Sequence, residues 1–337
     1  MGHTIGTIGS HSALQILKGA KDEGFKTIVI CQKDKSKVYK MFNVADEIIE
    51  VDNFDDYEKI DKELLEKNVI MIPHGSFVAY LGHERCENLQ GMYYGNKKIL
   101  KWESDRNKER EWLSKAGLKL PRIFDSPEKI DCPVIVKHHG AKGGEGYFIA
   151  NSYNDFVAKT KTYSEKEKKK LVIQEYIIGV PIYVHFFYSP LTNELEIMSF
   201  DKRYESNVDS LGRISARDQI ALKKVDPSYV IVGNIPLVLR ESLLPIVIEM
   251  GEKVVKVSQE ICSPGLFGPF CLEAILTPEQ EFFVFEISAR IVAGTNPYIN
   301  GSPYTDLKYD VPMSTGRRIA LDIKQAIEKN ELNKVLH

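Results

Sequence analysis

Val134-Ile-Val-Lys137-His-His-Gly140-Ala-Lys142-Gly143-Gly144-Glu-Gly146-Tyr147 is the stretch on which the fold turns. Its β-branched start predicts a strand that delivers Lys137 at its end. Four glycines in the next nine residues let backbone N–H groups approach a ligand without side-chain interference, which is how a polyphosphate is cradled. No Gly-x-x-x-x-Gly-Lys-Ser/Thr occurs here, and strand resumes at Tyr147. The predicted geometry is therefore a strand, glycine loop and strand lying over phosphates, not a Walker A loop. Taken alone, the stretch reads equally as a flexible hairpin with a lysine at its edge.

Downstream residues shift that balance. Gln174-Glu175-Tyr176-Ile177 ends another strand, where an amide, a carboxylate and exposed backbone suit an adenine edge while Tyr176 and Ile177 pack its face. Near the C-terminus two apolar strands each carry a buried-type carboxylate, in Phe270-Cys-Leu-Glu273-Ala and Phe283-Val-Phe-Glu286-Ile-Ser288-Ala-Arg290. The carboxylates are thirteen residues apart with Pro278 and Glu279 between them, a spacing that predicts an antiparallel hairpin with both on one face. Two buried like charges need a cation, and oxygen ligands beside phosphates suit Mg²⁺. Arg290 can then reach a transferring phosphoryl group bidentately. For either residue in isolation, a core salt bridge between Glu286 and Arg290 is the plainer reading; in combination with the loop the metal reading prevails.

Around these motifs the chain reads as α/β followed by α+β. Short strands at 4–8, 27–31 and 69–73 alternate with helical segments at 12–23 and 52–67, the pattern of a small Rossmann-like parallel sheet over 1–96. A helix is predicted from Ser104, with Ser104 and Asp105 accepting from free N–H groups, to a cap at Gly117. Strands follow at 134–137, 147–150, 171–176 and 183–188, with a basic helical insert at 164–170 that reads as a solvated face. A last region, 191–337, has a helix at 239–260 and strands at 270–276 and 281–287.

Composition excludes several classes. At 337 residues, with 43% apolar and 27% charged, the chain is ordinary globular protein. Its formal net charge of −2 offers no basic field for nucleic acid or an anionic membrane. Five cysteines, with no Cys-x-x-Cys pair, argue against a disulfide framework and a zinc knuckle. No segment reads as a signal peptide or a membrane span. A soluble, cytoplasmic protein is expected.

The order of these parts resembles the ATP-grasp superfamily, a two-lobed fold behind a Rossmann-like domain, with lobes expected over 97–190 and 191–337. The resemblance implies ATP contacts from Arg106, Lys137, Gly140, Gly143, Gly144, Gly146, Gln174, Glu175 and Ile177. It also implies Mg²⁺ (or Mn²⁺) on Glu273 and Glu286. Two departures from the superfamily pattern are visible: Ser288 where Asn is frequent, and Pro181 where an acidic ribose contact is frequent.

A narrower resemblance covers nearly the whole chain. Gly9-Ser-His11-Ser-Ala-Leu-Gln-Ile-Leu-Lys-Gly-Ala-Lys21, the glycine loop, Asp201-Lys-Arg-Tyr-Glu-Ser-Asn-Val208, Val232-Gly-Asn-Ile-Pro236 and Phe285-Glu-Ile-Ser-Ala-Arg-Ile-Val-Ala-Gly-Thr-Asn296 resemble the PurP family of formate-dependent FAICAR synthetases. In that family Ser288 is usual. The resemblance implies formylation of AICAR to FAICAR through formyl phosphate in purine biosynthesis, with Lys137 and Arg290 as catalytic residues. His11, Ser76 and Asn234 are implied as AICAR contacts, Glu205 as part of the ATP site, and a homo-oligomer, hexameric in the family, as the assembly. Ser10, His11 and Ser12 follow a strand and open a helix, where free N–H groups suit a ribotide phosphate. Without the family context, caps and a solvated histidine describe them as well, and Asn234 after Gly233 reads as a turn residue. The motifs specify phosphoryl activation, not formate. An ATP-grasp ligase with another carboxylate or amine acceptor stays open, as does a non-catalytic ribotide-binding paralogue. A protein kinase is disfavoured because the chain lacks His-Arg-Asp and Asp-Phe-Gly strings.

Overall fold

A computed structural model describes residues 2–55, 57–138, 147–222 and 228–337. The first layer is a five-stranded sheet of β1 (Thr4–Ile8), β2 (Lys26–Gln32), β3 (Glu47–Val51), β4 (Val69–Met71) and β5 (Met92–Tyr93), all parallel, in the order β3-β2-β1-β4-β5. Its helices are α1 (Ala13–Asp22), α2 (Ser36–Phe42), α3 (Tyr57–Glu66), α4 (Gly75–Leu81) and α5 (His83–Asn88). The Rossmann-like reading holds. Strands β3 and β5 and helices α2, α4 and α5 are absent from the sequence expectation because each is short and only partly apolar.

Helices α6 (Leu100–Ser104) and α7 (Arg106–Lys115) lead to the second layer. As expected, Asp105 caps α7 by accepting from the Asn107 and Lys108 N–H groups, and Gly117 closes it at φ 69°; Ser104, expected to share that capping, instead ends α6 and donates its hydroxyl to the Leu100 carbonyl at 2.7 Å. An antiparallel sheet in the order β6-β9-β7-β8 follows, from β6 (Ile123–Phe124), β7 (Val134–His138), β8 (Tyr147–Ala150) and β9 (Leu171–Glu175). It carries α8 (Tyr153–Lys159) and α9 (Glu165–Lys168).

The third sheet, β12-β11-β10-β13-β14, is antiparallel and holds β10 (Val180–Ser189), β11 (Glu194–Asn207), β12 (Tyr229–Leu237), β13 (Gly268–Leu276) and β14 (Phe282–Ser288). Short helices α10 (Val208–Leu211) and α11 (Ala216–Ala221) follow β11, and α12 (Leu244–Ile261) covers one face. The boundary expected at 190/191 thus falls inside this sheet, between β10 and β11; the change of sheet lies at 176–179. Trp112 and Leu113 of α7 are buried in the same core as Val247 and Phe270, so α7 packs with the third sheet.

Near the C-terminus α13 (Pro303–Asp306) precedes α14 (Thr315–Glu328), which returns to the first layer and crosses α1 at glycines. A Cβ on Gly19 would lie 2.2 Å from the Arg317 nitrogen, and one on Gly316 would lie 2.4 Å from the Gln15 carbonyl oxygen. Ile16, Ala20, Ile319 and Ile323 fill the contact. Among the described residues no helix is long and apolar enough to cross a membrane.

Candidate active site

The two C-terminal carboxylates sit directly opposite each other. Glu273 on β13 is the register partner of Glu286 on β14, with a bulge immediately after it. Contrary to expectation they are not equally buried: Glu286 is exposed and Glu273 only half-buried. The register still brings the two charges together. Burial, and next Glu286, push the Glu273 carboxyl up, against the pull of Arg203 and Arg290. A hard divalent cation relieves that repulsion, so the donor set fits one. Among the described residues no three or more His, Cys, Asp or Glu side chains are grouped to hold a metal. Two carboxylates suit an ion whose other positions go to phosphate oxygens and water.

Arg290 does not pair with Glu286. Its Nη2 lies 2.7 Å from Glu103 Oε1, while Glu103 Oε2 accepts from the Ala289 N–H at 2.9 Å. Glu109 on α7 likewise accepts from the Ile287 N–H at 2.7 Å. Strand β14 is the sheet edge, so α6 and α7 supply carboxylates where a neighbouring strand would supply carbonyls. Burial raises Glu103, eased by Arg290, and raises Glu109 well above the usual range, with Glu286 as the next cause. The segment carrying Glu286 and Arg290 is thereby held from behind. Nothing local in the sequence separated Glu103 and Glu109 from a solvated helix face.

Lys137 stands near the end of β7, opposite Tyr147 and Val172. Its Nζ donates to Gln174 Oε1 at 3.1 Å and lies 5.8 Å from the Tyr147 ring centre. Burial first, then Arg106 at the start of α7, lower its pKa. Gly140, Gly143, Gly144 and Gly146 lie outside the described residues. The strands that flank them pair antiparallel, as the hairpin expectation required. The Glu175 carboxylate accepts from the Arg122 backbone N–H at 3.1 Å and faces Arg122 Nε at 3.3 Å. The Gln174 and Glu175 side chains thus turn to Lys137 and Arg122, and Ile177 beyond them is half-buried. Glu205 sits on β11, raised by burial and by Asp209.

At the N-terminal layer, Ser76 Oγ is 2.5 Å from His11 Nδ1 and 2.8 Å from Ser10 Oγ. His11 adopts φ 41°, and its carbonyl accepts from Asn296 Nδ2 at 3.1 Å. Burial, then Arg290 and Arg203, lower the His11 pKa, so the ring is neutral near pH 7. Beneath it His74 is buried with Nε2 2.6 Å from the Ile8 carbonyl and Nδ1 accepting from the Ser76 N–H at 3.2 Å. Those bonds assign the proton to Nε2. Ser12 occupies the N-cap position of α1 without a side-chain cap bond, and its buried Oγ has no hydrogen-bond partner among the described residues. A Cβ on Gly75 would sit 3.3 Å from the His11 ring and 3.6 Å from Arg290 Cζ, which brings this pocket against the carboxylate end.

Asn234 is not a turn residue: it lies within β12 opposite Arg203. Its Nδ2 donates to Asp201 Oδ2 at 2.7 Å, and Asp201 Oδ1 is 2.7 Å from His185 Nε2. Arg203 lies over the Tyr183 ring at 3.9 Å, between Asp201 at 3.4 Å and Glu273 at 3.6 Å. Nothing in the sequence marked Asp201, Arg203 and His185 as site residues, although the first two stand in the stretch Asp201 to Val208 that resembles the PurP family. Beyond that resemblance the signal was only Asp201 and Arg203, two apart, on one face of a strand.

Residues 151–337 match a family model described as a domain of unknown function, DUF1297, and residues 5–124 one described as a protein of unknown function, DUF1246. The chain is 58% identical to the 5-formaminoimidazole-4-carboxamide-1-(beta)-D-ribofuranosyl 5'-monophosphate synthetase of Pyrococcus abyssi, over 98% of each chain. It is 48% identical to the synthetase of the same name from Methanocaldococcus jannaschii, over 99% of this chain and 94% of that one. The crystal structure of an IMP biosynthesis protein PurP from Thermococcus kodakaraensis superposes with a TM-score of 0.80 at 30% identity, over 99% of this chain and 100% of that one. An ADP complex of N5-carboxyaminoimidazole ribonucleotide synthetase gives 0.68 at 16% identity over 94% and 75%, a likeness of fold alone. A parallel N-terminal layer, an antiparallel sheet bearing the lysine and a third sheet bearing the carboxylate pair make an ATP-grasp protein, and the full-length identities make this chain a member of the 5-formaminoimidazole-4-carboxamide ribonucleotide synthetase family.

Proposed function

We propose that this chain is the ligase that converts ATP, formate and AICAR to ADP, phosphate and FAICAR. Formate oxygen attacks the γ-phosphorus and ADP leaves; the AICAR 5-amino nitrogen then attacks the formyl carbon, phosphate leaves and the amine loses a proton. What carries the reading is the registered pair Glu273 and Glu286 in a chain of this family. Glu273 and Glu286 would hold the divalent cation, Mg²⁺ or Mn²⁺, which screens the phosphate charge when bound. Formate and the γ-phosphate are both anionic, so Lys137 and Arg290 offset their repulsion and steady the transferring phosphoryl group. Arg106, the glycines at 140, 143, 144 and 146, Gln174, Glu175, Ile177 and Glu205 form the nucleotide site. His11, Ser76 and Asn234 form the ribotide site. Neutral His11, its Nδ1 on the Ser76 hydroxyl, keeps Nε2 for the proton that leaves the amine. Assembly as a homo-oligomer belongs to the same reading and is checked by light scattering.

The test is phosphate release from ATP with Mg²⁺, AICAR and formate together, beside controls that each omit one component. Release that needs both AICAR and formate, with FAICAR formed, is the expected result. No release from folded protein that binds ATP would refute the proposal in favour of another acceptor or a ribotide sensor.

A further inference from the structure

Asp201 is fully buried, and an ionised carboxylate has no hydrogen to give. The group 2.7 Å from its Oδ2 on Asn234 must therefore be the amide N–H₂. Asn234 Oδ1 is turned away from Asp201 and can only accept. Three neighbours hold Asp201 in this role: His185 Nε2 at 2.7 Å, Asn234, and Arg203 Nε at 3.4 Å. Burial alone would raise its pKa, yet these partners hold it below the usual carboxylate range. Gly294 closes over the cluster from the loop after β14. A Cβ there would meet Asp201 Oδ1 at 2.2 Å and the His185 ring at 2.7 Å. Two residues on, Asn296 binds the His11 carbonyl, so one loop joins this cluster to the His11 pocket.

We infer that Asp201 is a positioning residue that selects the substituent on the ribotide's imidazole: by fixing Asn234 as an acceptor, it favours a 4-carboxamide over a 4-carboxylate. This rests on the proposed placing of Asn234 at the ribotide. Fixing an amide's polarity matters only toward a group whose own polarity is fixed, since a ribose hydroxyl both donates and accepts. On the proposed mechanism the 5-amino group is the nucleophile and turns to the formyl phosphate beside Arg290. The donor that remains on the ring is the carboxamide N–H₂. A carboxylate in its place would set oxygen against oxygen, and a site with an unmatched buried polar group rejects the wrong ligand strongly.

The experiment compares binding of AICAR and of the 4-carboxylate ribonucleotide to the intact protein by calorimetry, for wild type, D201N and N234S. In D201N the oxygen at 201 stays with the His185 N–H and its new N–H₂ faces Asn234, which turns the Asn234 amide over. The preference for carboxamide over carboxylate should fall at least about tenfold in D201N, with ATP binding retained. In N234S, whose hydroxyl serves either ligand, it should fall similarly. A purely structural role would weaken both ribotides alike and leave the ratio unmoved. Folded D201N with the wild-type ratio overturns the assignment. If D201N does not fold, N234S decides, and an unchanged ratio there overturns it. Wild type that binds no AICAR overturns this and the proposed function together; wild type that turns AICAR over while the variants keep its ratio overturns this inference alone.

Discussion

Replacing Glu103 by Gln tests how the third sheet's edge aims the reaction. Glu103 joins Arg290 at 2.7 Å and the Ala289 N–H at 2.9 Å, and the two side chains are only 9% and 15% exposed. The amide oxygen can keep the Ala289 bond, but its N–H₂ then faces a guanidinium that has only donors. Breaking a buried pair costs about 3–5 kcal/mol. Because the Arg290 side chain keeps some contact with solvent, about 2 kcal/mol of stability is the expected loss here. The larger consequence is positional, since Arg290 loses the group that aims it. A misplacement of about 1 Å can cost on the order of a hundredfold in rate. The expected outcome is kcat lower by about 100-fold in the phosphate-release assay with the KM for AICAR changed far less. Folded E103Q with kcat within about threefold of wild type would refute the claim that this carboxylate positions Arg290.

Glu286→Gln halves the charge of the carboxylate pair. Turnover with Mg²⁺ should disappear while the melting temperature holds or rises, because repulsion on Glu273 is relieved; normal turnover would exclude the pair as the metal site. His74, neutral and buried, has its pKa pushed down to about 3 by burial. The unfolded chain takes up a proton below about pH 6.5 that the folded chain refuses until about pH 3, so stability should fall with pH across that window, by at most ~1.4 kcal/mol per unit. Denaturant midpoints from pH 7 to 4 should drop more steeply in wild type than in His74→Asn, and parallel curves would exclude His74 as the source. Gly316→Ala places a Cβ 2.4 Å from the Gln15 carbonyl oxygen. The α1–α14 crossing must open, at about 1–3 kcal/mol, which lowers the melting temperature; an unchanged value would show that the crossing yields freely.

Local chemistry was sufficient for the elements whose apolar pattern is strong. Strands 4–8 and 147–150 were read to the residue, and Asp105 and Gly117 bounded α7 because capping depends on one or two side chains. The pairing of Glu273 with Glu286 was legible too, since a hairpin's register follows from strand length and turn. Strands β11 and β12, which carry Glu205 and Asn234, were not seen. Their polar and charged faces are stabilised by neighbours in the sheet, not by a local period.

Partners distant in sequence belonged to the tertiary structure alone. That Arg290 turns to Glu103 and not to Glu286, that Glu109 caps the edge of β14, and that Asp201 orients Asn234 each depend on two segments brought together by packing. A carboxylate on a helix carries no local mark of the strand edge it will meet. Consecutive residues specify which kinds of chemistry are available, because loops, strand ends and paired charges are written in them. The fold decided which donor meets which acceptor, because burial makes an unmatched polar group costly and so selects among partners only once the chain has closed around them.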